Sequence, residues 1–285
     1  MVLVCSATAQ YAGQVAQAAL KAGCDYMDII YSPKRLMELQ ALEPKIKEAS
    51  RCFITEAGIH PGAPATLIRY AAAKFTNLRK VMIAMVISTK HLGSVSSTTE
   101  LLKDMNDYQG YLYKEGKWQK AGYKQSKTVD FGVFGKRMCI PGESAEIKRL
   151  PQELGLTEVG IYLAGFNWFV DYLVFPLGMI LGKINKGLGT RMSAKMLLWG
   201  CRTFAKPPYG IGIKLEAESA EGQTLNLLAS HEDGYEATAI ATVACLLQYL
   251  DGSANKPGLW MMGHLIDPIR AKDDMAKMGM RFEEI

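Results

Sequence analysis

Short, mostly apolar runs alternate with helix-period segments over the first seventy-odd residues. Residues 2–5 (VLVC), 26–30 (YMDII) and 52–55 (CFIT) read as buried strands, because apolar residues fill all, or all but one, of the positions of each run. Between them, residues 14–22 form an alanine-rich helix stopped by Gly23. A second helix starts at Ser32 with Pro33 in its first position and keeps Leu36, Leu39, Leu42 and Ile46 at helical spacing. Pro44 is expected to bend or break it. A third helix follows the loop after residue 55 and runs to Lys74. Strands and helices alternating at this length imply parallel pairing through right-handed crossovers. The expectation is half of a doubly wound, Rossmann-type sheet.

From Asn77 the period changes to two. Residues 81–89 form a long strand, and Ser97 with Glu100 makes a capping box for a short helix. Residues 111–120 alternate about Glu115-Gly116 as a hairpin, 129–140 continue in strand style with a turn near Gly135, and 211–219 pair with 224–230 about Glu221-Gly222. Residues 235–250 return to an apolar helix, followed by a strand at 259–262 and a polar terminal helix that docks on the first domain. The fold class is therefore α/β: a partial Rossmann-type parallel sheet plus an inserted α+β domain with a mixed or antiparallel sheet. Residues 1–75 with 236–285 make the first domain, and 76–235 the substrate and dimerisation domain.

Composition narrows the class. With 285 residues, 49% hydrophobic and 21% charged, the chain is globular and long enough for two domains. A net charge of +5 does not point to nucleic acid. Six cysteines lack Cys-x-x-Cys spacing, which favours free thiols in a reducing cytoplasm over disulfides or zinc. No signal-peptide pattern precedes the first strand. Four scattered histidines give no metal site, and nucleophile-elbow, zincin and Walker motifs are absent.

The candidate chemistry centres on residues 52–70, CFITEAGIHPGAPATLIRY, a strand, a glycine-proline loop and a helix. Such a loop lies at the carboxyl end of its strand, where open α/β sheets bind ligands. Glu56 and His60 fall inside it as an acid/base pair, a carboxylate beside an imidazole that could relay a proton at a C–N or C–O centre. A plain β-to-α turn, with Pro64 setting the first helical turn, explains the same residues.

Glu56-Ala57-Gly58-Ile59-His60-Pro61-Gly62 resembles the Glu-x-Gly-Leu-Asp-Pro-Gly loop of the saccharopine dehydrogenase-like family, with His60 in place of the usual aspartate. VLVCSATAQY, AGCDYMDI, HEDGYEATAIATVACLLQYLDG and KPGLWMMGHLIDP extend the resemblance to both ends of the chain. It implies an oxidoreductase moving a hydride between NADP or NAD and an amino-acid-derived small-molecule substrate. A Rossmann domain should open with strand, Gly-x-Gly-x-x-Gly and helix. No such turn occurs, so the reading is the back half of a nucleotide domain without its pyrophosphate-binding half. Two other readings stay open: a non-catalytic or membrane-associated module of the same fold, and an acyl or enoyl reductase.

The resemblance places Cys5, Ser6, Ala7, Tyr11 and Gly58 along the nicotinamide–ribose end of the cofactor, although residues 5–8 also read as an ordinary small-residue turn. Asp28 is a third candidate acid/base residue, or a hydrogen-bonding partner of the adjacent loop. His231 and Tyr235 join the last hairpin to the returning helix and face the substrate crevice, unless Asp233 is simply a helix cap. Residues 161–181 are apolar almost to membrane-span length, but Asn167, Asp171 and Pro176 interrupt them. Asn167 and Asp171, four apart on a helix, would share a face toward the substrate. From Tyr172 to Leu215 there is no acidic residue, while Lys183, Lys186, Arg191, Lys195, Arg202, Lys206 and Lys214 lie among apolar ones. Residues 161–206 thus suit peripheral contact with an anionic membrane, or a helix pair packed into a homodimer or domain core.

Overall fold

The apolar runs of the first third assemble side by side, all in one direction. The computed structural model describes residues 1–6, 9–30, 32–95, 98–99, 102, 109–184 and 189–285. Strands β1 (Val2–Val4), β2 (Tyr26–Asp28) and β3 (Cys52–Thr55) pair in parallel. Strand β12 (Gly258–Met261) joins β3 from the far end of the chain, giving the order β1-β2-β3-β12. Alternate side chains point to opposite faces of a strand, so each short run feeds two cores. Tyr26 and Phe53, ring centroids 5.3 Å apart, pack with helices α1 (Ala12–Lys21) and α2 (Pro33–Glu48). Met27, Cys52 and Ile54 pack on the other side with α3 (Ala63–Lys74) and α7 (Gly234–Leu250). Helices on both faces make this a Rossmann-type layer.

Pro44 does not break α2, which runs unbroken to Glu48. An interior proline costs about 3 kcal/mol, but Leu39 before it and Ile46 after it are fully buried beneath the sheet and hold both halves in line. Ser32 stands at the N-cap of α2 without a side-chain capping bond. The Ser97–Glu100 capping box lies outside the described residues.

The second sheet has nine strands. Its centre is β4 (Leu78–Ser88) against β10 (Gly210–Ser219), antiparallel over their whole lengths. Strand β9 (Glu158–Ala164) lies parallel to β4, and β11 (Thr224–His231) closes the hairpin with β10. The hairpin β5 (Gly110–Lys114) and β6 (Lys117–Ala121) turns at Glu115-Gly116, both with positive φ as a tight hairpin requires. Strands β7 (Lys127–Asp130) and β8 (Lys136–Pro141) complete that side.

The sheet is mixed, as the alternating pattern implies. Two strands were not legible: β9, hidden in the apolar run that starts at residue 161, and β13 (Arg281–Glu284), which follows helix α9 (Pro268–Lys277), pairs with β11 and ties the C-terminal segment to the second sheet. Three of the four residues of β13 are charged, so no apolar alternation announces it.

Residues 161–181 are not one helix. Strand β9 ends at Ala164, and a helical segment begins after Asn167, whose Oδ1 accepts the Val170 amide (3.1 Å). A π-turn (Val170–Val174) leads into α5 (Phe175–Ile184), and α6 (Thr190–Phe204) packs back on it. Among the described residues no helix is long and apolar enough to cross a membrane.

Helix α3 lies between the two sheets. Eight of its twelve residues are buried, and it touches β4, β10 and α9. One core joins Met27 and Ile54 of the first sheet to Ile83, Ile161 and Ile213 of the second. The loop that starts α3 is therefore held from both sides.

Candidate functional site

Strand β3 ends in a loop whose backbone is bent back on itself. The Gly58 amide donates to the Pro61 carbonyl (3.0 Å), and the Ala63 amide to the Gly58 carbonyl (3.1 Å). Gly62 has φ +124°, and a Cβ there would lie 2.5 Å from the carbonyl oxygens of both Glu56 and Gly58. Only glycine fits. Glu56 itself takes φ +57°, a left-handed conformation uncommon for a residue with a side chain.

Three outside elements fix this loop. From β2, Asp28 Oδ1 accepts the Thr55 hydroxyl (2.8 Å), the Ile30 amide (3.1 Å) and the Glu56 amide (3.3 Å), while Oδ2 accepts the Tyr26 hydroxyl (2.7 Å). Asp28 thus spends its lone pairs locking the ends of β2 and β3. Burial raises its proton affinity against those four bonds.

From α7, the Thr242 hydroxyl donates to the Ala57 carbonyl (2.6 Å). From the 3-10 turn Ala145–Ile147, Glu146 Oε2 accepts the Gly62 (3.0 Å) and Ala65 (3.1 Å) amides, and Oε1 accepts the Ser144 hydroxyl (3.2 Å). Glu146 is a fully buried carboxylate capping α3 from 84 residues away, a long-range form of the usual N-terminal cap.

Burial sets the electrostatics. Glu56 is 3% exposed, and its Oε2 has no hydrogen-bond partner among the described residues. Burial, helped by the neighbouring charges of Glu146 and Asp28, pushes its carboxyl up to about 8. Burial lifts Glu146 to about 7, against the pull of its three hydrogen bonds. His60 is half-buried, and loss of water pushes its imidazole down to about 4. At neutral pH both shifts favour the uncharged forms, with the Glu56 carboxyl the nearer of the two to the operating pH.

The remaining sequence candidates are spread more widely. Cys5, Ser6 and Tyr11 are exposed, the first two directly after β1. Ala7 lies outside the described residues. Gly58 faces α7, where a Cβ would meet the Thr238 methyl at 3.3 Å. Tyr235 shares a helical stripe with Thr238 and Thr242, the residues packed on the loop, and is exposed at its outer end. His231 Nδ1 accepts the Asp233 amide (3.0 Å), and Asp233 Oδ1 accepts the amides of Tyr235 and Glu236 (2.7 and 3.0 Å), so this pair builds the cap of α7.

Asn167 and Asp171 bond to nearby backbone. Asn167 Nδ2 donates to the Gly200 carbonyl (3.4 Å), and Asp171 Oδ1 accepts the Phe166 amide (2.9 Å). Burial holds the Asp171 carboxyl at about 6. These contacts serve the α5–α6 layer, and none of them reaches the Glu56 loop. Glu146 was missed because it lies in GESAE, a polar run that reads as surface, and only tertiary packing buries it. His264, whose Nε2 lies 2.6 Å from the Glu146 carbonyl oxygen, was missed because only tertiary packing brings it to this group.

No protein-family model and no curated protein matches the sequence. Solved structures match its fold. Apo histidine-tagged saccharopine dehydrogenase (L-Glu forming) from Saccharomyces cerevisiae superposes with TM-score 0.63 at 12% identity, covering 99% of this chain and 84% of that one. The homospermidine synthase of Legionella pneumophila in complex with NAD gives TM-score 0.61 at 9% identity, over 96% of this chain and 73% of that one. The chain has the saccharopine dehydrogenase-like fold. At these identities the likeness speaks for architecture, and the chemistry rests on the residues above.

A dinucleotide in a Rossmann-type layer needs a glycine-rich turn close to its pyrophosphate, at a point where the strand order reverses. In this chain the order β1-β2-β3-β12 runs without reversal. The glycine at the start of α1, Gly13, has the Glu38 carboxylate beside it, a negative charge that repels a pyrophosphate. The described residues therefore do not fit a pyrophosphate. Among them, no three His, Cys, Asp or Glu side chains group as metal ligands.

Proposed function

We propose that this chain is a saccharopine dehydrogenase-like oxidoreductase unit acting at a C–N bond of an amino-acid-derived substrate. Glu56 is its proton-holding acid and His60 its uncharged base. The observation that carries this reading is a buried carboxyl with an uncommitted oxygen at the carboxyl end of a parallel strand in this fold, where burial raises its proton affinity. Fold likeness supports NAD or NADP as redox partner. The residues present supply no pyrophosphate cradle, so dinucleotide binding by this chain is expected to be weak. Cys5, Ser6 and Tyr11, beyond the end of β1, are the residues proposed to line the nicotinamide–ribose end. Asp28, by contrast, acts as a positioning residue that aims the Glu56 backbone.

The test is turnover with saccharopine at millimolar NAD or NADP, beside fluorescence titration with NADPH. The expected result is slow reduction of the dinucleotide, with no saturation below about 1 mM (−4.1 kcal/mol of binding). E56Q is expected to lower kcat by about 100-fold or more, the usual worth of general acid–base catalysis, and to remove the pH limb near 8. Turnover unchanged in E56Q, or none with either dinucleotide, would overturn the assignment. Micromolar NADPH binding would overturn the argument about the cradle.

A further inference from the structure

The helical layer after β9 carries a surface that the site does not use. On α6, Met192, Lys195, Trp199 and Arg202 recur at helical spacing and are all exposed. Trp168 is 56% exposed and Trp199 53%. Both rings lean on Phe204, with centroids 5.0 and 5.4 Å away, so the two indoles form one patch. Tyr172, one turn beyond Trp168, is 64% exposed. Beneath them Val170, Val174, Ala194, Leu197 and Cys201 make a separate small core that supports the face.

Exposed indole and phenol rings beside basic side chains are the composition of a membrane–water interface. The charge argues for lipid over protein as occupant. The one carboxylate within the described patch, Asp171, is half-buried and turned onto the Phe166 amide, and from Tyr172 to Leu215 no acidic residue offsets the basic ones, so a uniformly anionic surface is attracted. Lys214 is the exception to the basic run, because it is buried in β10 and takes no part. Since no described helix can span a bilayer, the contact is peripheral.

We propose that this face docks on an anionic membrane surface, with Trp168, Tyr172 and Trp199 among the headgroups and Lys195 and Arg202 against lipid phosphates. The test is flotation of the chain with phosphatidylcholine vesicles, with and without about 30 mol % phosphatidylserine, the anionic lipid that attracts basic segments. The expected result is flotation with the anionic vesicles only, a blue shift of tryptophan emission, and release at about 1 M salt, where the Debye length is ~3 Å. The exposed pair K195Q/R202Q is expected to weaken binding about 25-fold, roughly fivefold per charge.

W168S/W199S is expected to lose the blue shift, its fold being checked by circular dichroism. Should that variant unfold, K195Q/R202Q decides alone. Absence of flotation, equal flotation with neutral vesicles, or flotation untouched by K195Q/R202Q overturns the proposal. So does binding to polyglutamate without flotation, which would mark an acidic protein as the occupant.

Discussion

Replacing Glu56 by glutamine removes one proton that the folded chain holds far more tightly than the unfolded one. In the fold its carboxyl titrates at about 8, and in an unfolded chain near about 4.3. A folded value above the unfolded one means a contribution fully present below the unfolded value and lost as pH rises through the folded one. Each pH unit inside that window changes stability by about 1.4 kcal/mol. Between pH 6.5 and 9 Glu56 therefore takes away about 2 kcal/mol.

Glu146, titrating at about 7, loses most of its share below pH 6.5 and adds less than ~1 kcal/mol of decline above it. Asp28, also raised, adds in the same direction. His60, pushed down to about 4, works the other way, since its neutral form is favoured by folding. Its contribution is lost as pH falls from the ordinary histidine range through 4, so it scarcely enters this window. Urea unfolding followed by circular dichroism at pH 6.5 and 9 reads the balance. The buried thiols of Cys52, Cys139, Cys201 and Cys245, pushed up by burial, lose stability in the same window but in both proteins alike. With a slope of about 3 kcal/mol/M, the wild-type midpoint should therefore drop by about 0.7 M more than that of E56Q. An equal drop in both, or a wild-type midpoint that rises, would refute the buried, protonated Glu56.

Gly62→Ala should abolish soluble folding or cost upward of about 3 kcal/mol, because the new methyl meets two carbonyl oxygens at 2.5 Å under a positive φ; expression and thermal melting check it. Glu146→Ala leaves the Gly62 and Ala65 amides buried without a partner and should destabilise by about 2–4 kcal/mol, whereas Glu146→Gln, which keeps an acceptor, should cost less than half of that in urea midpoint. Iodoacetamide on the native chain should label Cys5, which is exposed, within minutes. Cys52, Cys139, Cys201 and Cys245 are buried and should be protected until urea is added, with mass spectrometry as the readout.

The first sheet was legible because its strands are largely apolar on both sides, a pattern that requires cover on two faces. Hairpins were legible where Gly116 and Gly222 supply the positive φ their turns need. What escaped was every feature decided by distant packing. Pro44 reads as a breaker until Leu39 and Ile46 are seen clamped under the sheet. Residues 161–181 read as one apolar segment because hydropathy cannot register that Asn167 caps a helix there. Strand β13 exists because the open edge of β11 offers it hydrogen bonds, not because RFEE prefers extension. In the candidate site, the sequence marked Glu56 and His60 through the glycine-proline loop around them. It offered no sign of Glu146, whose role depends on a contact across 84 positions.

That contact also explains why Glu56 can keep so unfavourable a position. A buried carboxyl at positive φ would relax outward if its loop were free to move. Here the loop is tied to β2 through Asp28, to α7 through Thr242 and to the second sheet's turn through Glu146. Each tie is a hydrogen bond to loop backbone, so the side chain of Glu56 is left out of the restraints that hold it. It is fixed in place while one of its oxygens stays uncommitted. A purely structural glutamate would be expected to use that oxygen, as Glu146 does with both of its own. The contrast between two buried glutamates in one junction, one fully bonded and one not, is what sets the structural role of Glu146 apart from the acid role proposed for Glu56.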